Sequence, residues 1–358
     1  FGMSYADCPN VTRQFLYNLN QFDRYHAAFK ESKALPNSFF SEEEKTSLVF
    51  VFVPGLYSGY FPGGEDAPDQ FKNVLINIRT CFGIDIRYLN ELKVDQSTTY
   101  NARTIFDYVQ KIYEDENKQV VLLSYSKGSS DVSTAICLYR ERLQRMVRCW
   151  VSMMGAIGGS VIASAFYGEK RAYATKSLMQ MIVEKRNCKI DALQDITLER
   201  RDVIFTENPF PVGLIPALSI VATIKDCSFD DMYPLYRFIH FSHGVESDGL
   251  LAVSDQTAPG SCVVNIRGMN HTGAGDQNSI FTNPVTFMAC MLGTALRVRP
   301  DAPDCKAKLF IYPIGVRITE QDMTSEDWQA LFPNAKFVSV DESQIVDSSP
   351  TYVSLESI

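Results

Sequence analysis

Three residues far apart in the chain, Ser126, Asp248 and His271, are of the types that together make a hydroxyl nucleophilic. A serine needs a base to take its proton, and the base needs a carboxylate to hold its tautomer and stabilise its charge. Ser126 lies in "KQVVLLSYSKGSSD" (118–131), where a β-branched and apolar run meets small residues and a glycine. A sharp strand-to-helix turn there would stand the hydroxyl clear of the sheet. Such a turn needs small neighbours because strand and helix approach closely. The pattern is Ser124-Tyr125-Ser126-Lys127-Gly128, with serine in place of the first glycine of G-x-S-x-G. Ser124, Ser129 and Ser160 are the rival hydroxyls.

The base must come from four histidines. His26 falls in a polar N-terminal helical stretch and reads as solvated. His240 and His243, in "RFIHFSHGVESDG", form an H-x-x-H pair, but no third ligand stands at a useful spacing, so no metal is expected. His271, in "VVNIRGMNHTGAG", follows a predicted strand and enters a Gly-rich loop. The best-placed carboxylate is Asp248 in "ESDGLLAVSDQ", where Gly249 makes a turn. Asp255 and Glu246 are its rivals, and each also reads as a loop carboxylate in water. The chain order is nucleophile, acid, base.

These residues need a scaffold that places them together. "LVFVFV" at Leu48–Val53 is a continuous apolar run, as expected of a strand covered on both faces. Further strands are predicted at 82–89, 120–124, 147–153, 217–224 and 261–266, with helices at 11–33, 101–113 and 132–143. Alternating strands and helices give an α/β fold with a mostly parallel central sheet, whose functional groups gather at the carboxyl ends of the strands. The stretch 166–202 reads as two amphipathic helices inserted over the serine as a cap. The organisation expected is an N-terminal helical extension over 1–47, a core over 48–165 and 212–300, a cap over 166–211 and a C-terminal extension over 301–358. The acidic, Ser-rich tail reads as solvated, with an export or partner signal as the alternative.

Composition narrows the functional classes. With 358 residues, the chain can bury a large core. A net charge of −8 argues against nucleic-acid partners, which need a basic surface. No G-x-x-x-x-G-K-[ST] string cradles a phosphate, and no cofactor is implied. Nine scattered cysteines without a CxxC pair favour reduced thiols and a cytoplasmic setting, with export as an effector the alternative. The opening "FGMSYADCPN" lacks the basic start and apolar run of a secretory signal. The uncharged run 149–168 is broken by Gly155, Gly158, Gly159 and several serines, so it reads as a buried strand and a loop. No integral membrane span is expected, while peripheral membrane contact and oligomeric state are left open.

From Leu48 to His271 the chain resembles the α/β-hydrolase superfamily, particularly its lipase- and esterase-like members. The likeness rests on "VFVPGLYSGYFPG", "LLSYSKGSSD", "SMMGAIGGSVIA", "SDGLLAVSDQ" and "GMNHTG". Ser124, Tyr125 and Ser129 depart from the family's G-H-S-K-G-G elbow. The loop 156–160 lacks the usual proline and aromatic residue or histidine. The resemblance implies a serine hydrolase that cleaves a lipid or other small acyl ester through an acyl-enzyme. Its oxyanion donors would be the backbone N–H groups of Leu56 and Lys127. Tyr57 and Tyr125 beside them, with Met179 and Met181 on the cap, are the expected substrate contacts. The competing class is an inactive binding module on the same fold.

Overall fold

A computed structural model of the chain describes residues 8–33, 39–56, 70–167, 191–224, 232–273 and 284–297. Six strands, β1 (Leu48–Val53), β2 (Ile86–Tyr88), β3 (Gln119–Tyr125), β4 (Val147–Met153), β5 (Ala217–Thr223) and β6 (Cys262–Arg267), form one sheet in the order β2-β1-β3-β4-β5-β6. Every pairing is parallel. Helices therefore cover both faces, which is why the strands read as unbroken apolar runs.

The helices are α1 (Thr12–Lys30), α2 (Glu42–Ser47), α3 (Gln70–Phe82), α4 (Thr98–Glu116), α5 (Lys127–Leu138), α6 (Arg140–Met146), α7 (Val161–Tyr167), α8 (Asp191–Gln194), α9 (Leu198–Glu207), α10 (Tyr233–His243) and α11 (Pro284–Arg297). Alternation along β1 divides the core. Phe50 and Phe52 face a layer built by α1, α3 and α11. Val49, Val51 and Val53 face a layer built by α4, α5 and α6.

Several expectations change. β2 is only three residues long, because Phe82 closes α3 and Gly83 turns the chain at a φ of 68°. The helix expected over 132–143 begins at Lys127 and is broken after Leu138 into α5 and α6. The N-terminal segment is not an appendage. Val11 N–H donates to Val263 O at 2.8 Å and Val263 N–H to Pro9 O at 2.7 Å, so residues 9–11 run along β6. Phe15 and Phe22 of α1 are fully buried, with Phe15 edge-on to Phe287 of α11 at 5.6 Å. His26 is correspondingly buried, not solvated. Its Nδ1 shares a 3.3 Å hydrogen bond with Thr286 Oγ1, and burial, with Lys30 nearby, lowers its pKa.

Half of the expected cap, residues 168–190, lies outside the described residues, and the C-terminal extension from residue 301 lies wholly outside them. The last part of the stretch expected as a cap packs with the core. Phe205 of α9 packs in the layer that holds Val51, Leu122 and Trp150, so the core resumes near residue 198 and not at 212.

Candidate active site

The turn between β3 and α5 carries Ser126 at φ 53° and ψ −126°, a backbone conformation that side-chain-bearing residues rarely adopt. The strain is held by neighbouring backbone. Ser126 N–H donates to Met153 O at 3.1 Å, while Ser126 O accepts from Ala156 N–H and Ser129 N–H, each at 3.0 Å. Gly128 fits because a Cβ there would lie 2.5 Å from Val53 O, so α5 starts against the end of β1. The result is a half-buried hydroxyl flanked by buried neighbours.

The unusual Ser124 also has a physical account. The indole N–H of fully buried Trp150 needs an acceptor, and it donates to Ser124 Oγ at 2.7 Å. Ser124 Oγ shares a 2.8 Å hydrogen bond with Ser129 Oγ, which accepts from Ser152 Oγ at 3.0 Å. A glycine at 124 would leave this buried ladder open. The two serines that depart from the familiar elbow pattern are thus partners of one tryptophan on β4.

Around Ser126 the structure brings together His271 and Asp248. Ser126 Oγ lies 2.8 Å from His271 Nε2, and His271 Nδ1 lies 2.7 Å from Asp248 Oδ2. With Nδ1–H donating to the carboxylate, Nε2 is left as the acceptor for the serine proton. Asp248 is fully buried, and its other oxygen accepts from Leu250 N–H at 2.9 Å and Leu251 N–H at 2.8 Å. His271 N–H donates to Asp248 O at 2.9 Å, so backbone and side chain tie the two loops together.

Tyr125 completes the support. Its hydroxyl donates to His271 O at 2.7 Å, and its ring lies 5.4 Å from the imidazole. It is 3% exposed, and burial with the charge of Asp248 pushes the phenol pKa upward, so it remains a donor. Tyr125 is thereby placed under the histidine loop, without the open face a substrate contact would need.

The rival acids are elsewhere. Asp255 sits in a short 3-10 turn (Ser254–Gln256) against Gly158, whose N–H donates to Asp255 O at 2.8 Å. Glu246 accepts from Val253 N–H at 2.9 Å through its backbone. Neither makes the hydrogen bond to His271 that Asp248 makes. His240 and His243 lie on exposed turns of α10, His240 stacked on Tyr236 at 5.7 Å. Among the described residues, no group of three or more His, Cys, Asp or Glu side chains is arranged to hold a metal.

Leu56 follows a glycine packed against the serine, and Lys127 directly follows the serine in the chain. A Cβ on Gly55 would lie 2.8 Å from Ser126 Cβ, which places the Pro54–Gly55–Leu56 turn directly over the elbow. Lys127 is the first residue of α5, where backbone N–H groups have no intrahelical acceptor and the helix dipole favours negative charge. Among the described residues, neither the Leu56 nor the Lys127 N–H donates a hydrogen bond. The Lys127 side chain turns inward, with Nζ 2.9 Å from Asp131 Oδ1 and both residues 1% exposed. Asn101 Nδ2 donates to Asp131 Oδ2 at 3.0 Å.

Next to the turn, Leu56, Ala156, Val161, Leu235, Ile239 and Leu251 form a third apolar cluster. Tyr57, Met179 and Met181, the remaining expected contacts, lie outside the described residues. The Tyr125 phenol and the Leu250 and Leu251 N–H groups were not identifiable as supports from sequence, because their partners are fixed only when distant loops meet.

No family model matches the chain, and no curated protein matches it by sequence. Solved structures do match in shape. A lipase from Bacillus licheniformis in its mature form superposes with a TM-score of 0.53 at 17% identity, covering 69% of this chain and 92% of its own. A metagenomic carboxyl esterase gives a TM-score of 0.55 at 18% identity, covering 74% of this chain and 79% of its own. With a six-stranded parallel sheet flanked by helices, the chain has the α/β-hydrolase fold. No helix among the described residues is long and apolar enough to cross a membrane.

Proposed function

We propose that the protein is a serine hydrolase that cleaves a carboxylic ester. One observation carries the reading: a strained serine at a strand-to-helix turn lies 2.8 Å from an imidazole nitrogen whose other nitrogen meets a buried carboxylate at 2.7 Å. A lipase and a carboxyl esterase are among the proteins of like fold, which supports the same class.

In this account Ser126 Oγ attacks the acyl carbon while His271 Nε2 takes the hydroxyl proton. Asp248 holds the imidazole tautomer and stabilises the imidazolium. The carbonyl oxygen becomes an oxyanion, bound by the N–H groups of Leu56 and Lys127, each such donor typically worth about 3 kcal/mol of barrier. Collapse expels the alcohol, which leaves with the proton from His271. Water then gives a proton to His271 and attacks the acyl-enzyme, and the acid departs as Ser126 regains its hydrogen. The apolar cluster around Leu56 and Leu251 suits the hydrocarbon part of an acyl group.

Turnover of p-nitrophenyl acetate and butyrate tests the reading. Ser126→Ala and His271→Ala should each reduce hydrolysis to near the buffer rate while circular dichroism stays native. Hydrolysis that survives both substitutions would mean that the activity does not arise here. A folded wild-type protein that turns over neither ester would favour a binding module.

A further inference from the structure

Arg201 is a buried cation that this chemistry does not use. It is 0% exposed, and among the described residues it joins no ion pair: Asp131 and Asp195 act on its charge from a distance while pairing with Lys127 and Arg200. All its hydrogen bonds go to neutral acceptors. Nε donates to Ile157 O at 2.8 Å, one terminal nitrogen to Thr134 Oγ1 at 2.9 Å and the other to Ser133 Oγ at 2.7 Å. The guanidinium also lies over the Phe205 ring, 4.6 Å from its centroid. Burying such a group is costly, and only a planar fork of donors reaches three acceptors at once.

Those acceptors belong to the two segments that grip the serine. Ser133 and Thr134 lie on α5, which begins directly after Ser126. Ile157 follows Ala156, whose N–H holds Ser126 O at 3.0 Å and whose carbonyl accepts from Ser130 Oγ. The strand before it, β4, ends at Met153, whose carbonyl accepts from Ser126 N–H. The contacts close a ring that runs from Ser126 through α5 to Arg201, on to Ile157 and Ala156, and back to Ser126.

We propose that Arg201 is a positioning residue that closes this ring and so holds the strained elbow and its N–H groups in their working geometry. The part of the proposal that concerns catalysis rests on the ester-hydrolase reading; the mechanical part does not. Burial lowers the guanidinium pKa to about 10, so it stays protonated and able to donate at neutral pH. The residue comes from α9, which lies within the 166–211 stretch expected as a cap, so this part of that stretch is tied to the elbow.

The test compares Arg201→Met, Arg201→Lys and the double variant Ser133→Ala/Thr134→Val with wild type, each shown to be folded by thermal unfolding. Amide hydrogen exchange reads the ring without any need for activity. The proposal expects faster exchange at residues 126–130 and 156 in Arg201→Met, with β4 amides near their wild-type rates. Loss of global stability alone would speed β3 and β4 together. Kinetics on p-nitrophenyl acetate should show kcat lowered roughly 10- to 100-fold with KM within about threefold, because small misplacements at a reacting group are costly. Arg201→Lys should recover part of both effects, and the double variant should reproduce them in milder form. Should Arg201→Met not fold, the other two variants decide. Unchanged exchange at 126–130 and 156 in folded variants would overturn the proposal, whatever the activity. Accelerated exchange in a protein without esterase activity would keep the ring and reject only the ester-hydrolase reading.

Discussion

His271 is fixed by its own N–H to Asp248 O, by Tyr125 through its carbonyl and by Asp248 through its ring, so little rotation is left to the imidazole. The acid assignment follows from contact: Asp248→Asn should lower kcat by about 10⁴, as a wrong imidazole tautomer does, with the fold intact. Asp255→Asn should leave kcat near wild type. The reverse pattern, measured by steady-state kinetics, would move the acid to Asp255. At the elbow, Ser124→Gly restores the commoner motif but orphans the Trp150 N–H, so it should cost about 1–3 kcal/mol in urea unfolding without raising turnover. Ser126 and His271 were legible because each sits in a small-residue turn after a strand, and Asp248 because Gly249 marks a turn beside it. Arg201 was not, since its acceptors lie 44, 67 and 68 positions away and no local pattern announces them.

The elements explain why the serine stands where it does. α5 begins against the last carbonyls of β1, and Gly128→Ala would drive a methyl group to 2.6 Å from Pro54 O as well as into Val53 O. That substitution should abolish soluble expression or sharply lower the thermal midpoint, whereas Ala at exposed Lys111 should do neither. At the other face, α1 supplies Phe22, ringed by Phe39, Phe40 and Phe82. Phe22→Ala should destabilise the protein by about 3–5 kcal/mol in chemical denaturation, a cost expected of a core element and not of an appendage. Strands were readable because burial on both faces writes continuous β-branched and apolar runs, β4 spanning the residues expected of it. The polar exposed face of α1 hid the buried spacing of Val11, Phe15, Leu19, Phe22 and His26. α3 carries a clear stripe at Phe71, Val74, Leu75, Ile78 and Phe82 that went unassigned, and α11 is apolar around most of its circumference, which gives no helical period to read.

For the molecule as a whole, stability should depend on pH through Asp255, a half-buried carboxylate in no described ion pair. Burial raises its pKa from 3.8 to about 6. Between those values the folded chain keeps a proton that the unfolded chain has released, so this group's contribution is full below pH 3.8 and is lost as pH rises through about 6. Asp255→Asn should therefore gain on wild type between pH 4 and pH 8, by about 1–3 kcal/mol in urea unfolding. Equal differences at both pH values would contradict that. The fold as a whole serves to assemble loops from β1, β3, β4 and β6 and from the segment after β5 around one hydroxyl. Reaction with a fluorophosphonate measures this most directly, because its adduct mimics the tetrahedral intermediate and an ordinary serine lacks a base to activate it. The account predicts one adduct per folded chain at neutral pH, mapped to the peptide containing Ser126, absent in Ser126→Ala and greatly slowed in His271→Ala. A folded protein that stays unlabelled by both the fluorophosphonate and a smaller sulfonyl fluoride, with and without detergent, or an adduct mapped to Ser124, Ser129 or Ser160, would contradict it.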